Sequence, residues 1–426
     1  MDDGTRTMLR ASSVVLIADR TRSDKGSGQM HDDTRTHVQM LAQDSGMSDT
    51  ATERSRRIRA RWRLTGAFIM TETMLAVVTH GPRDYRVEEV PVPDPGPGEL
   101  IIEVGAIGIC ASDMKCWMGG PLFWGEDGSG GYVEGPVIAG HEYAGRIVAM
   151  GAGTAAKWDV REGDRVVAEQ IVPCGACRYC NDGHYWMCQR HWIYGFKKQT
   201  HGGMAKYNRL DANSILHKVP DALSESEAAY IEPMACAWHA VERGDIREGD
   251  TVVIGGVGNI GLCMLQIAKL KNPGKLIALD TKPYRLDVAK QFGADVTIDV
   301  TQGNAVQQIL DLTDGYGCDV YIEASGNPAG VVQGLQMIRK LGTFVEFSVF
   351  NDPVTVNWTV IGDTKELNIH GSHLGPGGYA PSIAAMASGA VDVKPLLAEA
   401  HPLTDFDAAM QQALSGDVLK TIIVPV

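Results

Sequence analysis

The sequence predicts an α/β chain: a doubly wound parallel sheet, and a second domain assembled from the segments on either side of it. Three observations carry that reading. Short apolar runs alternate with helix-patterned runs over residues 250–375, the pattern of a parallel sheet covered on both faces. From residue 74, MLAVVTHGPRDYRVEEVPVP reads instead as strand segments followed by proline punctuation. A chain of 426 residues with 44% hydrophobic content is long enough for two cores.

Each element of the sheet can be read in order. Residues 250–270, DTVVIGGVGNIGLCMLQIAKL, hold a short buried strand, VVI, a glycine turn, and apolar residues at helical spacing. The turn contains G-x-G-x-x-G at Gly256, Gly258 and Gly261, enclosing Val257, Asn259 and Ile260. Closing a strand and opening a helix gives that motif its meaning: the glycines allow a tight turn, and a pyrophosphate meets the helix N-terminus. The next strand, KLIALD, ends at Asp280. A carboxylate there accepts hydrogen bonds from ribose hydroxyls and repels a 2′-phosphate, which favours NAD over NADP. Lys282 and Arg285 just beyond it soften that exclusion. GADVTIDV, a helical NAVQQILDLTDG, CDVYIEASG, a helical AGVVQGLQMIRKLG, TFVEFSVF and LNIHGSHLG complete a Rossmann pattern, placed at residues 237–373. Residues 70–236 and 374–426 form the other domain.

Residues 1–69 differ from the rest. They carry twelve basic against nine acidic residues, a net of +3, leaving −16 for the remainder. Without periodicity, they are expected to have little order, as an upstream extension or misplaced start before a fold beginning near Met70. The patch RSRRIRARWR reads as a solvated run. The formal net charge of −13 argues against a nucleic-acid partner. No run approaches the roughly 18 apolar residues of a membrane span, and VVLIA is too short for a signal core. A cytoplasmic protein is expected.

Nine cysteines in a chain of this length are not disulfide-scaffold density. Four of them, Cys174, Cys177, Cys180 and Cys188, fall in PCGACRYCNDGHYWMC with spacing C-x2-C-x2-C-x7-C. Disulfides and an iron–sulfur cluster are compositional alternatives. A tetrahedral zinc held by four thiolates suits so compact a loop, and its closed shell makes it structural rather than catalytic. A second set is mixed: Cys110 in GICASDMKCW, beside Ser112, Asp113 and Lys115; His141 and Glu142 in VIAGHEYAGRIV; and Glu232 in YIEPMACAWHA. One Cys, one His and one or two Glu make a shell with room for an open position, as in catalytic zinc sites.

From about Met74 to the C-terminus, these motifs resemble the zinc-dependent medium-chain alcohol and polyol dehydrogenases. Within them the likeness is to the sorbitol dehydrogenase branch, most closely the erythritol/L-threitol dehydrogenases. It rests on GICASDMKCW, AGHEYAGRIV, PCGACRYC, YGFK, IEPMACAWHA, GGVGNIG, DVYIEASG and HGSHLGP. The resemblance implies a mainly β, GroES-like catalytic domain with a zinc lobe beside the Rossmann domain. It implies two zincs per subunit, one catalytic and one structural, NAD as hydride acceptor, and a homo-oligomer, tetramer or dimer. Cys110 and His141 match catalytic zinc ligands. Glu142 matches the acid of the GHE turn, and Glu232 the acid of the EP motif that binds or faces the zinc water. Ser112 matches the proton-relay hydroxyl, and the four clustered cysteines match the structural zinc. The implied reaction is oxidation of a secondary hydroxyl of a polyol, such as erythritol or L-threitol, to the ketose. Threonine or glucose dehydrogenase activity is the enzymatic alternative, and an NAD-binding regulatory protein without turnover the non-enzymatic one. Two departures stand out. Lys115 occupies a position where many relatives carry a relay His. The segment between Cys110 and His141, with Trp117, Phe123 and Trp124, is long and reads as a substrate-pocket wall.

Overall fold

The computed structural model describes residues 72–126 and 130–425, and the antiparallel pair Arg10–Ala11 and Val14–Val15. The expectation of little order over residues 1–69 otherwise lies outside the described residues. The chain divides into two units, Met1–Arg56 and Arg57–Val426; the doubly wound sheet and the domain that flanks it both belong to the second.

The doubly wound sheet is present. It has six strands, all parallel: Thr251–Gly255, Lys275–Asp280, Val296–Asp299, Cys318–Glu323, Ile338–Glu346 and Asn368–Gly371. In space they run third, second, first, fourth, fifth, sixth, so the order reverses beside Thr251–Gly255. That switch point is where an open α/β sheet has its ligand crevice. The strands are buried on both faces. Val252 and Ile254 enter one core with Leu262 and Leu265 of helix Asn259–Lys269. Val253 enters another, with Ile309 of helix Ala305–Leu312 and Leu335 of helix Pro328–Met337.

One element differs from its sequence reading. The helical pattern AGVVQGLQMIRKLG ends early: the helix stops at Met337, and Ile338–Glu346 is already strand. Ile338 pairs with Cys318 and is fully buried, whereas Leu341 lies exposed at φ +58°. Gly334 and Gly342 weaken any longer helix, so ladder hydrogen bonds and burial of Ile338 prevail.

The flanking segments form a mainly β domain. A seven-stranded sheet is centred on Leu100–Gly108, which pairs with Glu142–Met150, Tyr207–Leu210 and the C-terminal strand Ile422–Val424. A three-stranded sheet, Asp84–Pro91, Thr73–Gly81 and Val137–Ile138, packs on it through Val77, Ile101, Ile107 and Ile147. Segments far apart in sequence therefore meet at Gly108, which faces Glu142 on one side and Ile422 on the other. Gly108 has no room for a Cβ, because Glu142 and Lys420 fill the space. Among the described residues no helix is long and apolar enough to cross a membrane.

Two half-buried imidazoles make stability depend on pH. Burial, aided by Arg243, holds His239 down to about 4, and burial beside His191 and His239 does the same for His373. The ordinary value is 6.5, so between these limits the unfolded chain binds protons that the folded chain refuses. Stability must then fall as pH falls through that window. The melting temperature is expected to drop between pH 7 and pH 5, and His373→Gln to make the drop shallower. An equally steep drop in the variant would contradict the assignment.

Candidate active site and metal centres

The mixed set assembles around a strand end and a helix start. Cys110 is the N-cap of helix Ala111–Met118, and its N–H donates to Asp113 Oδ2 at 2.9 Å, one turn into that helix. His141 follows Gly140, whose φ of +88° only glycine adopts readily, and Glu142 begins the strand Glu142–Met150. Cys110, His141 and Glu142 place one donor atom each within 4.8 Å of one another. Zinc bonded at about 2.0–2.3 Å to such donors would draw them in to roughly 3.5 Å, so the set fits one ion with a position to spare. Thiolate, imidazole and carboxylate are also the donor types zinc takes.

Two groups orient this set. Asp113 Oδ1 lies 3.5 Å from His141 Nδ1, which leaves Nε2 as the nitrogen that could ligate a metal, 3.5 Å from Ser112 Oγ. A carboxylate on the far nitrogen fixes the ring and its tautomer. Burial disfavours a charged His141, but the charges of Asp113 and Cys110 prevail and raise its pKa. Lys420 is buried to 2% exposure and forms an ion pair with Glu142 Oε2, while donating to Ile109 O at 3.1 Å. Burial opposes its charge, yet Glu142 and Cys110 raise its pKa. A buried ammonium thus offsets the anionic charge of thiolate and carboxylate.

Glu232 lies in the first turn of helix Ile231–Arg243, 3% exposed. It is not in the 4.8 Å group. Its Oε1 accepts from Gln170 Nε2 and from Cys236 Sγ, the latter at 3.3 Å. Burial, and then the charge of Glu142, push its pKa up to about 7 against the pull of His141. Lys115 is half-buried, and its Nζ donates to Val349 O, in the loop after the fifth strand; burial lowers its pKa. Part of the long segment after Cys110 packs toward the site, while Met118 and Leu122 lie exposed. Phe123, in the short helix Pro121–Trp124, stacks on Phe196 at 5.6 Å, and Phe196 lies 5.3 Å from the His141 ring.

The four clustered cysteines converge as a second set. Cys174 Sγ and Cys177 Sγ lie 3.9 and 3.5 Å from Cys180 Sγ, close to the roughly 3.8 Å edge of a tetrahedron with Zn–S bonds of about 2.3 Å. Main-chain N–H groups point at the sulfurs: Cys174 at Cys188 Sγ, Cys177 at Cys174 Sγ, Gln189 at Cys177 Sγ. Those donors favour thiolate at Cys177, which the N–H groups of Gln189 and Cys180 bring down to about 6, whereas burial and the Cys177 sulfur push Cys180 up to about 12. The four residues fit a closed zinc shell.

At the dinucleotide turn, Gly256 has φ +92°, and a Cβ there would stand 2.7 Å from Ser325 backbone. Gly258 caps helix Asn259–Lys269, and a Cβ there would meet the Arg285 guanidinium at 3.6 Å. Gly261 packs directly on Gly256 O. Asp280 Oδ2 accepts from Val257 N at 3.0 Å, and Oδ1 from Thr281 N and Lys282 N. Arg285 stands 3.7 Å from Asp280, whereas Lys282 Nζ donates to Gly416 O. Asn259 Oδ1 accepts from the Tyr230 hydroxyl, and Ile260 packs against the neighbouring core. Gly256→Ala is expected to weaken NADH binding at least about tenfold, since left-handed strain of about 1–2 kcal/mol adds to the clash. A fluorescence titration matching the parent would refute it.

Sequence reading did not assign roles to Asp113, Gln170, Lys420 or Tyr379. Only Asp113 had a local signal, an acid three residues after a helix N-cap.

Comparison with known proteins agrees with this geometry. The family model described as "Zinc-binding dehydrogenase" matches residues 259–388, and that described as "Alcohol dehydrogenase GroES-like domain" matches residues 96–221. The chain is 47% identical to the erythritol/L-threitol dehydrogenase of Mycolicibacterium smegmatis over 355 residues, 83% of this chain and 98% of that protein. It is 33% identical to the sorbitol dehydrogenase of Bacillus subtilis over 358 residues, 83% and 98% of the two chains. The solved alcohol dehydrogenase TADH from Thermus sp. ATN1 aligns with TM-score 0.74 at 27% identity, covering 83% of this chain and all of that one. With a glycine-turn Rossmann sheet, a GroES-like domain and two convergent donor sets in one chain, this protein belongs to the zinc-binding dehydrogenases, as a polyol dehydrogenase.

Proposed function

We propose that the chain oxidises a secondary hydroxyl of a four-carbon polyol, erythritol or L-threitol, to the ketose, with hydride transfer to NAD. The observation that carries this reading is the cluster of Cys110, His141 and Glu142 in the same chain as a glycine turn closed by Asp280. The likeness to an erythritol/L-threitol dehydrogenase points to the substrate.

Cys110, His141 and Glu142 would hold the catalytic zinc, and Cys174, Cys177, Cys180 and Cys188 the structural one. When bound, the catalytic zinc supplies Lewis acidity that lowers the pKa of the substrate hydroxyl. The chain's own residues do the rest. Asp113 keeps the His141 ring turned, and Lys420 keeps Glu142 and Cys110 from accumulating uncompensated charge. Ser112 accepts the hydroxyl proton and passes it on to solvent, while the carbinol hydrogen leaves with its electron pair for the nicotinamide. Lys115, engaged with Val349 O, leaves that proton exit to water. Phe196, against the His141 ring and backed by Phe123, would shield that side of the centre from water. Glu232 faces the site as a buried acid for the neighbouring hydroxyl of the polyol. Asp280 takes the adenosine ribose and disfavours a 2′-phosphate. The domain division follows the same roles: residues 70–236 with 374–426 carry the zinc chemistry, and 237–373 the cofactor.

The test is a spectrophotometric panel of polyols, threonine and glucose, each with NAD and NADP. The reading expects the highest kcat/KM for a four-carbon polyol with NAD. Highest turnover with threonine or glucose, or with NADP, would overturn it.

A further inference from the structure

The carboxylate of Glu232 ends a buried hydrogen-bond chain whose polarity is set from its other end. The main-chain N–H of Gln170 can only donate, and its partner is the Tyr379 hydroxyl oxygen at 3.3 Å. The hydroxyl proton of Tyr379 then goes to Gln170 Oε1, 2.7 Å away. A carboxamide that accepts through its oxygen presents its NH2 to the other side. Gln170 Nε2 accordingly donates to Glu232 Oε1 and lies 3.3 Å from Cys236 Sγ. Every donor along the chain meets an acceptor in this amide orientation.

This chain is built into the packing. Gln170, Glu232, Cys236 and Tyr379 are all buried. Tyr379 starts helix Tyr379–Ser388, and just before it Gly375 and Gly378 press on Ala235 so closely that neither has room for a Cβ. The helix bearing Glu232 and the hydroxyl that orients Gln170 are thus fixed relative to each other. Of the two buried acids, Glu142 falls within the 4.8 Å donor group of Cys110 and His141, and Glu232 does not. The ammonium of Lys420 is paired with Glu142, so Glu232 is held by the amide of Gln170, with the weaker thiol donor of Cys236 beside it.

We propose that Gln170 is a positioning residue that holds Glu232 off the Cys110–His141–Glu142 centre and so decides which carboxylate completes the metal's shell. The inference rests on reading that cluster as the catalytic zinc site. Without the amide N–H, a buried carboxylate loses its main donor, and a metal held by Cys110, His141 and Glu142 would be the strongest partner left to it. Gln170 therefore preserves the open position that the substrate hydroxyl needs.

The experiment uses the full chain with zinc retained in the four-cysteine site and cobalt(II) placed at the Cys110 centre. The visible d–d bands report the ligand set and geometry around the ion. Gln170→Leu is expected to shift the bands as Glu232 takes the fourth position, and adding Glu232→Ala is expected to restore the parent spectrum. A folded Gln170→Leu protein with the parent spectrum would overturn the proposal, and so would a shift that persists in the double variant. Should Gln170→Leu not fold, Tyr379→Phe frees the amide to rotate; a shift in the same direction supports the proposal, and none defeats it. A parent protein that takes up no cobalt at Cys110 would instead defeat the metal reading beneath it.

Discussion

Replacing Cys110 with alanine is expected to lower polyol oxidation by at least about a thousandfold while leaving NADH binding close to the parent. The size follows from the role. A Lewis acid contributes several kcal/mol of charge stabilisation to the reacting oxygen, and each 1.36 kcal/mol lost is tenfold in rate. Cys110 supplies the single sulfur of the Cys110–His141–Glu142 group, so its removal leaves one imidazole and one carboxylate, too few to retain the ion. The dinucleotide turn around Gly256 draws its hydrogen bonds from Asp280 and its packing from Ser325, none of which involves Cys110. Asp113→Asn makes the graded comparison. It keeps the donor set but weakens the hold on His141 Nδ1, and groups of that kind usually cost about 10–100-fold in metal affinity or activity. The check is steady-state kinetics with metal content and an NADH titration on both variants. Near-parent turnover in Cys110→Ala would mean that this cluster is not where the chemistry happens.

Replacing Cys177 with serine is expected to remove one zinc per chain and to lower the melting temperature sharply. Structural zinc contributes about 10–16 kcal/mol of binding free energy in isolated zinc-finger peptides, and that energy is folding energy. In this chain the loss would spread beyond the lobe. Cys188 shares an apolar cluster with Phe123, Ile171 and Phe196, and the other three clustered cysteines pack against it. Phe196 in turn lies against His141. Loosening the lobe should therefore raise KM for the polyol as well as reduce stability, with catalysis surviving in the folded fraction. Elemental analysis still giving two zincs per chain, or an unchanged melting temperature, would contradict the assignment.

The parts of this structure that sequence made readable are those whose chemistry is local. The glycine turn needs its glycines within six residues, and the four-cysteine cluster needs its thiols within fifteen, so spacing alone carries the signal. Cys110, His141 and Glu142 are farther apart, and it took the motifs around each, matched to a family, to bring them together. What stayed hidden depends on pairings that only the fold creates. Lys420 reaches Glu142 because the C-terminal strand lies against Leu100–Gly108 at a glycine with no space for a side chain. Gln170 meets Tyr379 across 209 residues of sequence. The end of helix Pro328–Met337 was hidden for another reason: a short amphipathic run can be helix or strand until the sheet supplies a partner for Ile338.

The central claim is that this chain oxidises a four-carbon polyol through a metal held by Cys110, His141 and Glu142. Its most direct test is NADH formation from erythritol and L-threitol by the purified protein, before chelation, after removal of the weaker-held metal, and after zinc is returned. The account predicts turnover of at least one of the two, its loss with the metal, its recovery with zinc, and no recovery in Cys110→Ala. Turnover that persists in metal-free protein, or none on either polyol in the fully zinc-loaded protein, would contradict it.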